Sequence, residues 1–220
     1  SLTTYSVVEI PYTMFVQYQI QKRQVFYMTT LPFNNLDSWA IWNVPSDLPE
    51  DPADKEKAFG ENYQSETFPS AQLPNDLSAY LKQTKYVLIG MNPGNAVVDH
   101  PADQAFLNFH GQKKSMDYRL AAATYGTDLW GAFMTDLSHT IDSKSNNVEI
   151  TETDVAELEQ HLDELGIPSD ATLVALGNKA FTPLSKFAKR PVKTIPHYSG
   201  SNGHWKAEKV HENILEVTQH

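Results

Sequence analysis

The stretch "KYVLIGMNPG", residues 85–94, decides the fold class of this 220-residue chain. Its first half is a short apolar run, typical of a parallel strand that is buried on both faces. Its second half places Asn92 in a turn with two glycines and a proline. Because glycine permits unusual backbone angles and proline restricts φ, this turn predicts a rigid strand exit with one amide side chain at the mouth of a sheet. An ordinary strand-exit turn has the same composition.

Further apolar runs and helical patterns alternate along the rest of the chain. The predicted strands are "LWGAFMTDLSH" (129–139), "ATLVALGN" (171–178) and "VKTIPH" (192–197). The predicted helices are "SMDYRLAAATYG" (115–126, capped by Ser115), "TETDVAELEQHLDELGI" (151–167, capped by Thr151), "KAFTPLSKFA" (179–188, broken or kinked near Pro183) and "HWKAEKVHENILEVTQ" (204–219). Strands that alternate with helices predict an α/β fold, a three-layer α/β/α sandwich around a central, mainly parallel four-stranded sheet.

The first eighty residues do not follow this alternation. Residues 5–30 are rich in β-branched and aromatic side chains and partly alternate, which predicts strands or a hairpin. Residues 45–74 are rich in proline and acids, which predicts a long surface loop or linker. We therefore divide the chain into an N-terminal extension with strands and an acidic, proline-rich loop (1–80) and an α/β domain (81–220).

The formal net charge of −10 is unevenly distributed. Residues 47–66 carry −5 and residues 149–164 carry −7, so the remainder of the chain sums to +2. Residues 178–211 hold seven Lys or Arg against one Glu, a local +6. Because salt screens charges over about 10 Å, a polyanion could dock on this basic segment without feeling the distant acids. A basic segment that is only a solvated face is the simpler alternative.

The composition also excludes several kinds of site. The chain has no cysteine, which rules out disulfides, thiolate zinc sites and cysteine-held iron–sulfur clusters and fits a reducing cytosol. No apolar run reaches the roughly 18–20 residues that a membrane span needs, so we expect no membrane partner and a cytoplasmic location. His197, His204 and His211 recur every seven residues but lack the ligand spacing usual for zinc, so we expect neither a metal nor another cofactor.

Polar residues follow each of the predicted parallel strands. Since the carboxyl ends of parallel strands meet at one edge of a sheet, Asn92, Asp136, Gly177 with Asn178, and His197 are expected to converge there. The last of these begins "HYSGSNGHW" (197–205), where exposed amides and hydroxyls suit phosphate contacts, although a turn and a helix cap would look the same. A histidine at this edge can donate a hydrogen bond to a departing anion or act as acid or base.

Together these motifs resemble the uracil-DNA glycosylase superfamily. "GMNPG" (90–94) is similar to the first motif of the single-strand-selective and mismatch-specific branches, and "HYSGSN" (197–202) is similar to the second motif. The resemblance covers about residues 86–216, and the missing cysteines exclude the iron–sulfur branches. It implies base excision repair, in which a DNA glycosylase without a cofactor hydrolyses the N-glycosidic bond of uracil or another deaminated base flipped out of single- or double-stranded DNA.

The resemblance also implies a role for individual residues. Asn92 would place the attacking water, and His197 would hydrogen-bond the oxygen of the leaving base as a neutral imidazole. Phe109 is favoured over Phe106 as the ring that stacks on the base, although both could be core residues. The other members of the first motif that would line the base pocket are Gly90, Met91, Pro93 and Gly94. The residues that would grip phosphates are Ser199, Ser201, Asn202, Lys179 and Lys206.

One residue departs from the family pattern. Members that read uracil place an asparagine on the middle strand, where this chain has Asp136. An ionised carboxylate only accepts hydrogen bonds and would repel the O4 atom of uracil. Asp136 could be protonated by burial, the preferred base could present donors, or the carboxyl could make a structural hydrogen bond. Rival functions are a catalytically silent relative that binds a nucleobase, nucleotide or nucleic acid, and a domain whose N-terminal strands serve a protein partner.

Overall fold

The computed structural model describes residues 31–94, 104–142, 148–200 and 203–219. Within them, five strands form one mixed sheet in the order β1-β3-β2-β4-β5. The strands are β1 (Ser38–Trp39), β2 (Tyr86–Gly90), β3 (Phe133–Asp136), β4 (Thr172–Leu176) and β5 (Val192–Ile195). The α/β class is confirmed. The strands predicted within residues 5–30 lie outside the described residues.

The four strands from β2 to β5 are parallel, but the sheet has a fifth strand that the prediction missed. β1 pairs antiparallel with β3, with Ser38 opposite Met134 and Trp39 opposite Phe133. At two residues, β1 is too short to give a periodic sequence signal. A four-stranded parallel sheet is therefore an incomplete description, because the edge beside β3 is covered by the segment that precedes the α/β alternation.

Helices cover both faces of this sheet. They are α1 (Pro52–Glu61), α2 (Leu77–Leu81), α3 (Tyr118–Thr124), α4 (Glu152–Glu164), α5 (Asn178–Phe187) and α6 (Ala207–Thr218), with short 3₁₀ turns at Ser70–Gln72 and Lys113–Ser115. Successive side chains of a strand point to opposite faces, so Val87 and Ile89 pack with α2, α4 and α5, and Leu88 packs with α1, α3 and α6. The two faces together bury the central strands completely.

Residues 45–74 were predicted to be a loop or linker, and this is wrong for much of the segment. α1 begins at Pro52 because the carboxylate of Asp51 accepts hydrogen bonds from the N–H groups of Ala53 and Asp54, and proline suits the first helical position. Phe59 of α1 is buried against α3 and α6. Of the acids in this segment, Asp54 and Glu61 lie on the exposed side of this packed helix, whereas Glu56 is partly buried. The described part of residues 1–80 thus shares its core with the rest of the chain, as Trp39 and Leu77 pack in one cluster with Val87.

The predicted helix ends differ in how well they agree with the structure. Thr151 caps α4 in a capping box with Asp154, as predicted. Ser115 does not cap α3, because it lies in a 3₁₀ turn and the helix begins after Asp117. α5 is not broken at Pro183 and runs through it to Phe187. The hydrogen bond that Pro183 cannot make would go to the carbonyl of residue 179, in the first turn of the helix, so little of the helix depends on it.

Candidate functional site

The ends of β2 and β3 are joined beyond the last residue of each strand. Gly90 and Asp136 are register partners, the N–H of Leu137 donates to the carbonyl of Gly90 at 2.9 Å, and the N–H of Ser138 donates to that of Met91 at 2.9 Å. The two strand exits therefore leave the sheet as one hydrogen-bonded unit. This unit sets the positions of Asn92 on one side and of Asp136 on the other.

Asn92 is held by hydrogen bonds from its own side chain. Its amide nitrogen donates to the backbone carbonyls of Pro93 at 3.1 Å, Thr140 at 3.1 Å and Asp142 at 2.6 Å. These contacts tie the loop after β3 to the turn after β2. Because the nitrogen is engaged with the loop, the part of the carboxamide that suits a ligand is its oxygen, which can only accept. An acceptor in a fixed position is what the orientation of a water molecule requires.

His197 follows β5 and is a neutral imidazole with a defined tautomer. Its Nδ1 atom accepts a hydrogen bond from the N–H of Ser199 at 3.0 Å, so the ring proton belongs on Nε2. Burial, with a smaller contribution from the nearby Lys179 ammonium, lowers the pKa of His197 to about 4. The ring stacks on Tyr198 with centroids 4.6 Å apart. His197 is thereby a neutral hydrogen-bond donor throughout the physiological pH range.

His197 and Asn92 follow strands that are separated in the sheet only by β4. Two strand spacings place the exits of β2 and β5 about 9–10 Å apart. Gly177, at the end of β4, is where the chain passes closest to His197. A Cβ atom on Gly177 would lie 3.0 Å from the Cβ atom of His197, and Gly177 has a φ of +86°, so glycine suits this position on both counts.

The two candidate stacking rings have different environments. Phe106 is buried and packs edge-on against Phe33 at 5.2 Å and Trp39 at 6.3 Å, so it belongs to the core. Phe109 is only partly buried and its ring edge lies against Gly90. The stacking role predicted for this pair therefore stays with Phe109. We call Asn92, Phe109, Asp136 and His197 the strand-end cluster.

Asp136 is buried at the end of β3. Burial raises the pKa of Asp136 to about 7, while a hydrogen bond from Asn108 opposes this and the charge of Asp37 adds to it. The Nδ2 atom of Asn108 donates to Oδ2 of Asp136 at 2.8 Å and to the carbonyl of Leu36 at 2.6 Å. Sequence reasoning missed Asn108. An amide within the otherwise apolar "AFLNF" (105–109) was the signal, since a buried amide needs polar partners.

A replacement of Gly90 tests how tightly these groups pack. In Gly90→Ala the new Cβ atom would lie 2.8 Å from the Phe109 ring and closer still to Oδ1 of Asp136. We expect a loss of about 1–3 kcal/mol in the free energy of unfolding, typical of an overpacked core, measured by urea denaturation. The control is Gly203→Ala, where no described atom lies within 4 Å of the new Cβ, and its effect is expected to stay within about 0.5 kcal/mol. Equal stability of the two variants would contradict the packing.

The loop that carries "HYSGS" is anchored by α1. Trp205 donates from Nε1 to Oε2 of Glu56 at 2.7 Å, and Nε of Arg119 lies 3.3 Å from the other Glu56 oxygen. Arg119 also donates to the carbonyl of Tyr198 at 3.3 Å. Glu56 thus connects both sides of the loop to α1, which lies in the segment predicted to be a loop or linker. No short-range pattern relates Glu56 to residues about 150 positions away.

The lysines of the basic segment (residues 178–211) form an exposed lysine surface, whereas its one arginine is buried. Arg190 is only 3% exposed and its guanidinium binds Glu159 at 3.0 Å and Asp163 at 2.6 Å. It therefore cannot contact a polyanion, and its charge is cancelled within the protein. The lysines of the segment are all exposed, namely Lys179, Lys186, Lys189, Lys193, Lys206 and Lys209. The predicted phosphate ligands Ser201 and Asn202 lie outside the described residues.

Two small clefts among the described residues lie away from Asn92 and His197. One runs between α1, α3 and α6 and includes Glu56 and His211. The other reaches Asp136 from the side of α4 and includes His139 and His161. Residues 95–103 and 201–202, which flank Asn92 and His197 in sequence, are outside the described part of the chain. The strand-end cluster is therefore defined by strand topology and hydrogen bonds.

No family model matches the chain, and no curated protein matches it significantly. The resemblance to uracil-DNA glycosylases thus depends on the motifs and their order. Within the described ranges, no group of three or more His, Asp or Glu residues could hold a metal ion. Nor does that part of the chain contain a helix with the length and apolarity to cross a bilayer.

Proposed function

We propose that this protein is a DNA glycosylase that hydrolyses the N-glycosidic bond of uracil or another deaminated base flipped out of DNA. One observation carries the proposal. His197 is a neutral imidazole, and the hydrogen bond from the Ser199 amide to Nδ1 fixes its ring proton on Nε2. It follows β5 at the same sheet edge at which Asn92 follows β2, two strands away. A neutral donor and a fixed acceptor on two exits of the same sheet edge suit the two ends of a breaking glycosidic bond.

The reaction assigns a separate task to each of these groups. As the bond between C1′ and the base nitrogen breaks, the electron pair moves into the base, and positive charge develops on the sugar. The Nε2–H of His197 stabilises the anionic oxygen of the leaving base without a net charge of its own. The Asn92 oxygen accepts a hydrogen bond from the water whose oxygen attacks C1′, and the proton that this water loses passes through solvent to the departing base anion, which leaves as the neutral base. Phe109 offers a ring face on which the flipped base can stack.

The lysine surface supports DNA as the partner. Of the six exposed lysines, three lie in or just after α5, Lys193 lies on β5, and two flank the start of α6. Lys179 is close enough to His197 to lower the pKa of His197. Contacts between lysine and phosphate supply most non-specific affinity for DNA and make it depend on salt. Because the acidic segments lie on other helices, the net charge of −10 does not argue against a local contact.

A strand-cleavage assay tests the proposal. The purified protein is mixed with labelled single- and double-stranded oligonucleotides that contain uracil, hypoxanthine or xanthine, and alkali then cleaves any abasic site. We expect cleavage at the modified position of at least one substrate and none with the unmodified oligonucleotide. Intact strands for all three bases, at enzyme in excess and over several hours, would contradict the proposed activity.

The carboxyl group of Asp136 favours a second candidate function. A residue other than asparagine at the base-reading position is compatible with a protein that binds a nucleobase or nucleic acid without cleaving it. In that case the oligonucleotides remain intact but bind, with an affinity that falls steeply as salt rises. A fluorescence-anisotropy titration at two salt concentrations, run beside the cleavage assay, separates the two functions.

A further inference from the structure

The pair formed by Asn108 and Asp136 has a fixed orientation. The carbonyl of Leu36 can only accept a hydrogen bond, and the Asn108 amide approaches it at 2.6 Å, so the nitrogen of that amide must face it. The same nitrogen donates to Oδ2 of Asp136 at 2.8 Å. Oδ2 of Asp136 is therefore an acceptor whether the carboxyl is ionised or not. When the carboxyl is neutral, its proton belongs on Oδ1.

Oδ1 of Asp136 is the atom that faces the strand-end cluster. It lies so close to Gly90 that a Cβ atom there would collide with it, and the Phe109 ring edge approaches the same point at 2.8 Å. A base stacked on Phe109 would therefore present its edge to Oδ1. The backbone leaves this space because residue 90 has no side chain.

We infer that Asp136 reads the base as a neutral carboxylic acid, with Asn108 as its positioning residue, by donating a hydrogen bond from Oδ1 to a keto oxygen at ring position 4 of a pyrimidine or position 6 of a purine. This inference rests on the proposed function and names the substrate class of that site. Bases with a keto oxygen at this position include uracil, hypoxanthine and xanthine, and also thymine and guanine, so this hydrogen bond separates keto from amino bases and does not by itself separate damaged from normal ones. A base with an amino group there, cytosine or adenine, offers a donor to the donor of the acid form and is rejected by that form.

The charged groups around Asp136 help to determine the pH range in which its carboxyl group is neutral. Among the described residues, the charge of Asp37, which is paired with His161 at 2.9 Å, raises the pKa of Asp136, and the neutral hydroxyl of Tyr198 interacts with it. The cleft that reaches Asp136 from the side of α4 also holds the titratable groups of His139, Asp154, Glu157 and His161. Asn108, Phe109 and Gly90 bring no charge. Since burial raises the pKa of Asp136 to about 7, the acid form predominates below neutral pH, and the carboxylate, which repels a keto oxygen, predominates above it.

The pH dependence of uracil excision tests the inference. For the full-length protein, kcat/KM on a uracil oligonucleotide is expected to fall about tenfold per pH unit above neutrality, because one group must be protonated. In Asp136→Asn, whose amide donates at every pH, this decline is expected to vanish. In Asn108→Ala the decline is expected to move to higher pH, because the hydrogen bond that stabilises the carboxylate is lost. A merely structural role for Asn108 would lower activity equally at all pH values.

Asp117 is the matched control, since burial raises its pKa also to about 7. Asp117→Asn is expected to keep the wild-type decline. If Asp136→Asn shows the same decline as the wild type, or Asn108→Ala leaves its position unchanged, the inference is overturned while the glycosylase proposal stands. Should Asp136→Asn fail to fold, as circular dichroism would reveal, the Asn108→Ala profile alone decides. If no base is excised at any pH, both the inference and the proposed function fall.

Discussion

Replacing His197 by alanine is expected to lower the rate of base excision by about 10²–10³-fold, the usual cost of removing one donor that stabilises a developing anion. The wild-type ring is neutral because burial lowers the pKa of His197 to about 4, so the lost interaction is a hydrogen bond from Nε2 and not an ion pair. The measurement is the single-turnover rate on a uracil oligonucleotide at pH 7, with enzyme in excess so that the chemical step is observed.

Two further variants test whether the lost rate comes from the Nε2–H donor of His197. His197→Gln keeps an N–H donor on a side chain of similar reach and is expected to recover part of the lost rate. His204→Ala removes an exposed histidine of the same segment and is expected to leave the rate unchanged. A His197→Ala variant that folds normally and cleaves at the wild-type rate would remove this residue from the reaction, and the proposed function would lose the observation that carries it.

Replacing Arg190 by alanine is expected to have the largest effect on stability, a loss of about 3–5 kcal/mol in the free energy of unfolding. The side chain of Arg190 is buried and donates to Glu159, to Asp163 and to the carbonyls of Pro168 and Ile167. Its removal leaves Glu159, itself mostly buried, as a charge without its cationic partner. Urea denaturation monitored by circular dichroism gives the difference.

The neighbouring lysine is the control for this variant. Lys189→Ala removes an exposed positive charge one residue earlier and is expected to change stability by less than about 0.5 kcal/mol. The double variant Arg190→Met with Glu159→Leu is expected to recover part of the loss, because it leaves no uncompensated buried charge but removes the oxygen that accepts from the N–H groups of Lys189 and Arg190. If Arg190→Ala costs no more than Lys189→Ala, the ion pair does not stabilise the fold as described.

Features that depend on adjacent residues could be predicted from the sequence. The central parallel strands β2 and β4 appear as apolar runs, because a strand covered on both faces needs apolar side chains at successive positions. Thr151 and Asp154 are three residues apart, so their capping box is visible in the sequence itself. The order of strands and helices then brings Asn92, Asp136 and His197 to one edge by topology alone.

Features that depend on distant partners could not be predicted in this way. Arg190 counts as a DNA-facing charge in the sequence, and only its pairing with Glu159, 31 residues away, makes it a buried structural residue. The proline-rich segment becomes a packed helix because Phe59 finds a core in α3 and α6. Likewise, Asn108 and Asp136 are 28 residues apart, and their hydrogen bond exists only in the folded chain.

The sequence by itself determined the α/β class, the parallel strands and the edge of the sheet where polar groups collect, because periodicity and strand direction are local properties of the chain. The tertiary structure decided the tautomer of His197, the orientation of the Asp136 carboxyl and the burial of Arg190. Protonation and hydrogen-bond direction depend on the solvent and charges that surround a group, and those surroundings are assembled by contacts between residues far apart in the chain.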